Sequence, residues 1–332
     1  MMYRKFYPPR HLLLVYGYKT PTEFIDKINA RKDKYIIADR IHVSEGEKAL
    51  KEKILQYDGV ILCETKAYIR NELVKYCFEH SIRSYVVPKL SDIIILGAEP
   101  IHLFDTPLLL SRNQGLTGED MIFKRLMDII VSLIMIIIFS PFMILIALAI
   151  KLYDRGPVFY KQDRLTLNGR VFKIMKFRSM RMDSEEHGAQ LARKHDDRIT
   201  PVGRVIRATH LDELPQLFNI LKGDMSVVGP RPERPEIIAQ YTEVMPEFAF
   251  RMKVKAGLAG FAQVYGKYNT SPYDKLKLDL TYIENYSVWL DLKLMLLTLK
   301  VLFWPDSTEG VESEQVTAFK AEYDGRAEKD DN

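Results

Sequence analysis

Apolar residues in the first ninety positions fall into short continuous runs separated by stretches of helical periodicity. The runs HLLLVYG, KYIIADRI, DGVILCE and RSYVVP read as buried strands, and helical stretches start near Thr22, Ser44 and Lys66. Strands and helices alternating at this spacing predict βαβ units around a parallel sheet, a Rossmann-like arrangement. A different pattern follows. From Ile129 to Ile150 the chain reads IIVSLIMIIIFSPFMILIALAI, 22 residues without a charge. That exceeds the roughly 18 apolar residues at which a membrane helix becomes the default reading, and a straight helix of this length would reach about 33 Å. Pro141 removes a backbone donor and clashes with the carbonyl four residues back, so a kink or break is expected at Ser140-Pro141.

Both flanks of the apolar run are basic: Lys124 and Arg125 precede it, and Lys151, Arg155, Lys161 and Arg164 follow it. Basic flanks mark the cytoplasmic side. With no second apolar run to bring the chain back, the expected geometry is a re-entrant hairpin that dips into the bilayer and returns to the same face, with a single crossing as its competitor. Ahead of the run, SRNQGLTGE reads as a linker. Beyond it, VFYKQDRL and RVFKIMKFRSM read as strands joined through Asn168-Gly169, a tight-turn pair. Helical patterns then dominate, one beginning near Asp212 and others at Tyr273–Tyr286 and Asp291–Trp304. The last of these suits either the headgroup plane or a buried bundle. The acidic tail beyond Pro305 lacks the apolar residues to fold.

Composition narrows the class. At 332 residues with 47% hydrophobic and 28% charged positions, the chain can bury substantial cores in about two domains. Its net charge of +4 falls short of a nucleic-acid-binding excess and suits an anionic lipid surface or a phosphorylated substrate. Cys63 and Cys77 are too few for a disulfide scaffold, lack metal-ligand spacing, and read as buried apolar side chains. The amino terminus has too short an apolar core for a secretory signal. The turn after the first strand, Gly17-Tyr18-Lys19-Thr20, lacks the GxGxxG glycines of dinucleotide sites, so a regulatory or packing role is expected for that domain.

Candidate chemistry concentrates in THLDELPQLFNILKGDMSVVGPRP, Thr209–Pro232. Asp212 precedes an apolar-periodic stretch with Pro215 in its first turn and reads as the N-cap or first residue of a helix, and capping alone would explain a lone Asp. With Glu213 beside it, the pair can bind Mg²⁺, or one carboxylate can attack phosphorus to give an acyl phosphate. The flanking Pro230 and Pro232 stiffen the backbone around Arg231 and hold its guanidinium for phosphate recognition. Lys176, Arg178, Arg207 and Lys255 extend the basic set.

Together KRLMDIIVS, the Ser140-Pro141 pair, FKIMKFRSM, the long Asp212 block and KAGLAGFAQVYG resemble the monotopic phosphoglycosyl transferases, the bacterial sugar transferase family. The resemblance covers about Phe123–Trp304, and the N-terminal domain is similar to the Rossmann-like module of the family's longer members. It implies an α/β chain with a Rossmann-like domain at 1–116, a linker and re-entrant membrane helix at 117–152, a mostly helical catalytic domain at 153–305 and a disordered tail at 306–332. It further implies that Asp212 attacks the β-phosphate of a UDP-sugar, expels UMP and carries a phosphosugar to undecaprenyl phosphate, which starts a glycan such as an exopolysaccharide. Glu213 completes the dyad, Mg²⁺ is the cofactor held near Asp212 and Glu213, and Arg231 in its Pro-Arg-Pro motif binds the nucleotide sugar. Ser140-Pro141 bends the membrane helix, and both domains face the cytoplasm at the membrane, with membrane lipids as further partners, room for a homo-oligomer and no nucleic acid. The sequence departs from the family pattern at His210, where Ser is usual, and at Ala256, Ala259 and Phe261, where Pro, Thr and Trp are usual. From another class, a catalytically silent membrane scaffold with a ligand-sensing N-terminal domain would also fit the anchor, though it needs neither carboxylate.

Overall fold

The computed structural model describes residues 8–18, 21–29, 34–111, 115–182, 196–266 and 270–302. They divide into two compact units, one ending at Lys89 and the other beginning at Leu90. The acidic tail lies outside the described residues.

The first unit runs β1 (Arg10–Tyr16), α1 (Thr22–Asn29), β2 (Tyr35–His42), α2 (Glu47–Ile54), β3 (Gly59–Cys63), α3 (Ala67–Glu79) and β4 (Arg83–Val86). Its sheet is parallel throughout, in the order β2-β1-β3-β4. The central strands β1 and β3 are continuous apolar runs because helices cover both faces. Successive side chains alternate between those faces. Leu13, Val15, Val60 and Leu62 pack with Leu50, Ile54, Leu73 and Cys77 from α2 and α3, while Leu12, Leu14, Ile61 and Cys63 meet Phe24 and Ile25 of α1. Both cysteines are buried thiols.

The boundary falls earlier than the expected residue 116, because Leu90 and Ile93 of α4 (Leu90–Leu96) are buried in the core of the second unit. After α4 come β5 (Glu99–Leu103) and β6 (Thr106–Leu110), an antiparallel hairpin that the apolar pattern did not single out. Then follow α5 (Gly118–Asp154), the antiparallel pair β7 (Phe159–Leu165) and β8 (Val171–Phe177), α6 (Pro201–Ala208), α7 (Gln216–Lys222), β9 (Ser226–Val228), α8 (Pro235–Val244), β10 (Gly257–Ala259), α9 (Phe261–Tyr265), α10 (Pro272–Glu284) and α11 (Val288–Leu302). Between β7 and β8 the turn places Asn168 and Gly169 at φ 55° and 71°, as their residue types favour.

Helix α5 starts with a capping box between Thr117 and Asp120 and stops where Arg155 turns left-handed. Of the kink or break expected at Ser140-Pro141, no break is present: the helix continues through both residues. A side chain meets part of the cost of the proline. A residue with an N–H at position 141 would donate to the Ile137 carbonyl, and the Ser140 hydroxyl donates to that oxygen instead, at 2.9 Å. One stripe of α5 is buried at both ends against the second unit. Val131, Met135 and Ile136 join its main core, and Met143, Ile146 and Ile150 pack on Phe177 and Ile206. The remaining faces, including Ile137, Ile138, Phe142, Ile144 and Leu145, are exposed apolar surface. Helix α11 is similar in kind: Asp291 and Leu294 point inward, while Trp289 (80% exposed) and Leu296 (69%) point outward. Among the described residues, only α5 is long and apolar enough to cross a membrane.

Ser140→Ala should leave the Ile137 carbonyl without its donor and cost about 1 kcal/mol in thermal unfolding of the detergent-solubilised protein. In a Pro141→Ala background, where an N–H is available again, the same change should cost much less. Equal losses in both backgrounds would show that the hydroxyl does not substitute for the missing donor.

Candidate active site

The two candidate carboxylates lie on a single turn of 3₁₀ helix, Leu211–Glu213, entered through His210 in the left-handed region (φ 54°). Asp212 is therefore not the N-cap of the following helix. Pro215 takes that position and α7 starts at Gln216, because the reversal at His210 separates the turn from α6 and the ring of Pro215 suits a helix start.

The dyad is asymmetric. Oε1 of Glu213 accepts from Nζ of Lys176 at 2.6 Å and from Nη2 of Arg231 at 2.8 Å. Burial opposes its charge, but Arg231 and Lys176 together hold it well below the usual carboxylate range. Its own charge in turn raises the Arg231 guanidinium further above neutrality. Asp212 is 9% exposed, and among the described residues its carboxylate has no hydrogen-bond partner. Desolvation raises its pKa, with Glu213 adding to the rise and Lys176, Arg207 and His210 opposing it. A buried, unpartnered carboxylate beside a neutralised one is chemically available for attack.

The backbone carrying Arg231 is tightly held. β9 pairs in parallel with β10, the Gly229 N–H donates to the Ala259 carbonyl at 2.8 Å, and the Gly257 N–H donates to the Pro230 carbonyl at 2.9 Å. A Cβ on Gly229 would stand 2.4 Å from the Lys255 carbonyl oxygen, so the close approach of these two segments requires glycine. Arg164 reaches the Pro232 carbonyl at 3.4 Å, and Arg251 donates to the Arg231 carbonyl at 3.0 Å. Arg251 is buried, stacks on Phe248 and pairs with Asp279 at 2.7 Å and Glu233 at 3.6 Å. Despite burial, Glu233 is pulled down to about 2 by Lys275, Arg251 and Arg164.

The structure thus brings Asp212, Glu213, Lys176, Arg207 and Arg231 together, with Pro230 and Pro232 framing the last. Two residues of the expected basic set lie elsewhere. Arg178 is buried against Asp154 and ties the end of α5 to the residue after β8. Lys255 has Arg125, Asp128, Arg170 and Asp224 as its main charged neighbours, away from the Glu213 oxygen that Lys176 and Arg231 share. Among the described residues no group of three or more His, Cys, Asp or Glu forms a metal cage.

The family description "Bacterial sugar transferase" matches residues 119–305, more than half of the chain and the whole of this site. The chain belongs to the bacterial sugar transferase family. It is 45% identical over 182 residues to a UDP-N-acetylgalactosamine-undecaprenyl-phosphate N-acetylgalactosaminephosphotransferase of Aeromonas hydrophila, across 54% of this chain and 43% of the relative. It is 42% identical over 210 residues to a UDP-glucose:undecaprenyl-phosphate glucose-1-phosphate transferase of Klebsiella pneumoniae, across 62% of this chain and 43% of the relative. A Caulobacter vibrioides protein of the same name as the latter is 40% identical over 189 residues, 55% of this chain and 71% of that protein. The first two relatives are thus matched over less than half of their length.

Sequence reading missed the residues that hold this sugar transferase's Arg231 loop: Arg164, Glu233, Arg251, Lys275 and Asp279. One signal was present. Asp279 lies on the stripe of α10 that buries Leu276, Leu280 and Ile283, where a charge needs a partner.

The raised Asp212 sets a stability prediction. A carboxyl whose folded pKa exceeds its unfolded value contributes fully below the unfolded value, and the contribution is lost as pH rises through the folded one. Asp212→Asn should therefore raise the thermal midpoint near neutral pH, and the gain should vanish in acid where the wild-type carboxyl is protonated in both states. A variant less stable than wild type at neutral pH would contradict the desolvated, unpartnered carboxylate.

Proposed function

We propose that this protein transfers a hexose-1-phosphate from a UDP-sugar to undecaprenyl phosphate through a covalent phospho-Asp212 intermediate. The observation that carries this reading is the buried Asp212 carboxylate, without a hydrogen-bond partner among the described residues, beside a Glu213 neutralised by Lys176 and Arg231. In the first step an Asp212 oxygen bonds to the β-phosphorus, the bond from that phosphorus to the bridging oxygen breaks, and UMP leaves with the electron pair. In the second, an oxygen of undecaprenyl phosphate bonds to the same phosphorus and the Asp212 carboxylate is released. Arg231 and Lys176 offset the phosphate charge that would repel an attacking carboxylate. The names of the relatives support the overall reaction, both donors being UDP-hexoses or their derivatives.

The donor set fits Mg²⁺. Asp212 and the second oxygen of Glu213 offer two carboxylates, and Mg²⁺ is commonly held by one or two carboxylates with substrate phosphates and water completing the shell. When bound, the ion would neutralise diphosphate charge.

Burial of α5 on both sides of Pro141 against one unit supports a re-entrant, monotopic arrangement on the cytoplasmic face, with the bend at Ser140-Pro141 made inside a continuous helix. The exposed faces of α5 and α11 supply the lipid contact. A silent scaffold would have no use for a buried carboxylate kept without a partner.

Purified protein with undecaprenyl phosphate, Mg²⁺ and a panel of UDP-hexoses should release UMP, and chelation of the metal should stop turnover. Asp212→Asn should abolish labelling by a phosphosugar, and Arg231→Ala should lower kcat/KM by about 100-fold. Folded wild-type protein releasing no UMP from any donor would favour the scaffold.

A further inference from the structure

The strand that leads to Arg231 is short and half open. β9 has three residues and, among the described residues, pairs with β10 alone, so its other edge offers backbone groups without a described strand to receive them. Asp128 of α5 fills that role. Its Oδ1 accepts the Val227 N–H at 2.8 Å and the Ser226 hydroxyl at 2.9 Å. The side chain is 1% exposed and sits immediately ahead of the apolar run, on the arm of α5 that enters the core of the second unit. Close by, Lys124 pairs with Asp291 of α11 at 2.6 Å and donates to the Tyr282 hydroxyl at 2.9 Å, which fixes the rotation of that arm.

We propose that Asp128 is a positioning residue: it replaces the missing strand at β9, so that seating of the apolar helix sets where Arg231 stands. The intervening chain transmits the placement. From Val228 it passes through Gly229, bonded to Ala259, and Pro230, whose carbonyl is bonded to Gly257, before reaching Arg231 between two prolines. A shift of β9 is not absorbed along this path and would withdraw the guanidinium from Glu213. Helix docking and the nucleotide-sugar arm are thereby one event.

This deepens the proposed function, on which its kinetic arm rests, and a structural arm stands apart from it. Asp128→Ala should lower kcat/KM for the UDP-sugar by about 10- to 100-fold, chiefly through KM. Asp128→Asn, whose Oδ1 still accepts both bonds, should stay within about threefold of wild type. In an Arg231→Ala background, Asp128→Ala should add less than about threefold, because both changes disable the same arm. Hydrogen exchange should quicken in Asp128→Ala at Gly229 and Gly257, whose N–H groups hold the path to Arg231, while α10 stays unchanged. Full additivity with Arg231→Ala, or exchange at Gly229 and Gly257 equal to wild type, would overturn the proposal. Should wild-type protein release no UMP, the transferase reading falls, and the exchange measurement alone decides the role of Asp128. If Asp128→Ala does not fold, Ser226→Ala removes one donor and supplies the same cycle and exchange comparison.

Discussion

One oxygen atom, Oε1 of Glu213, receives both Lys176 and Arg231. The rest of the site depends on that choice. It joins three separate stretches of chain, β8, the 3₁₀ turn and the Pro-Arg-Pro loop, at a single point of negative charge. Because both cations are committed there, the neighbouring Asp212 is left buried without a direct partner among the described residues. Two carboxylates of nearly identical chemistry are driven to opposite states by where the cations go, one firmly ionised, the other held at a cost.

Such an arrangement works only if the cations cannot drift toward Asp212. Arg231 is denied that freedom by a second layer of charge, in which Arg251, Asp279, Glu233 and Lys275 grip its backbone. Buried ion pairs are poor sources of net stability, since desolvation takes back most of the attraction. Their presence around one loop makes better sense as control of position. Lys176 is restrained differently, by a β-hairpin whose ladder extends from Phe159 to Phe177.

Much of this was legible in the sequence, and the failures have physical causes. The parallel sheet could be read because β1 and β3 are buried on both faces and so contain almost no polar positions. The apolar helix was legible from length alone. Its continuity through Ser140-Pro141, where a kink or break was expected, was not legible because the cost of proline was counted on the backbone only, whereas the adjacent serine offers the freed carbonyl a donor. Asp212, Glu213 and Arg231 were found together through motif order, whereas Arg178 and Lys255 were gathered by charge. Charge in a sequence carries no direction: one of these side chains turns to Asp154, and the other lies near Asp128. Ion pairs such as Arg251 with Asp279 join distant segments, and only a charge on an otherwise apolar helical stripe announces them.

The repair of Pro141 by Ser140 has a consequence for how the chain is made. Synthesis proceeds from the amino terminus, so residues 118–154 leave the ribosome before Ser226, Phe177, Ile206 or Asp291 exist to receive them. A helix that needed those partners to close its hydrogen bonds would wait, apolar and incomplete, in water. This one settles its weakest turn with its own side chain, and stands as a finished element around which the rest of the second unit is later assembled.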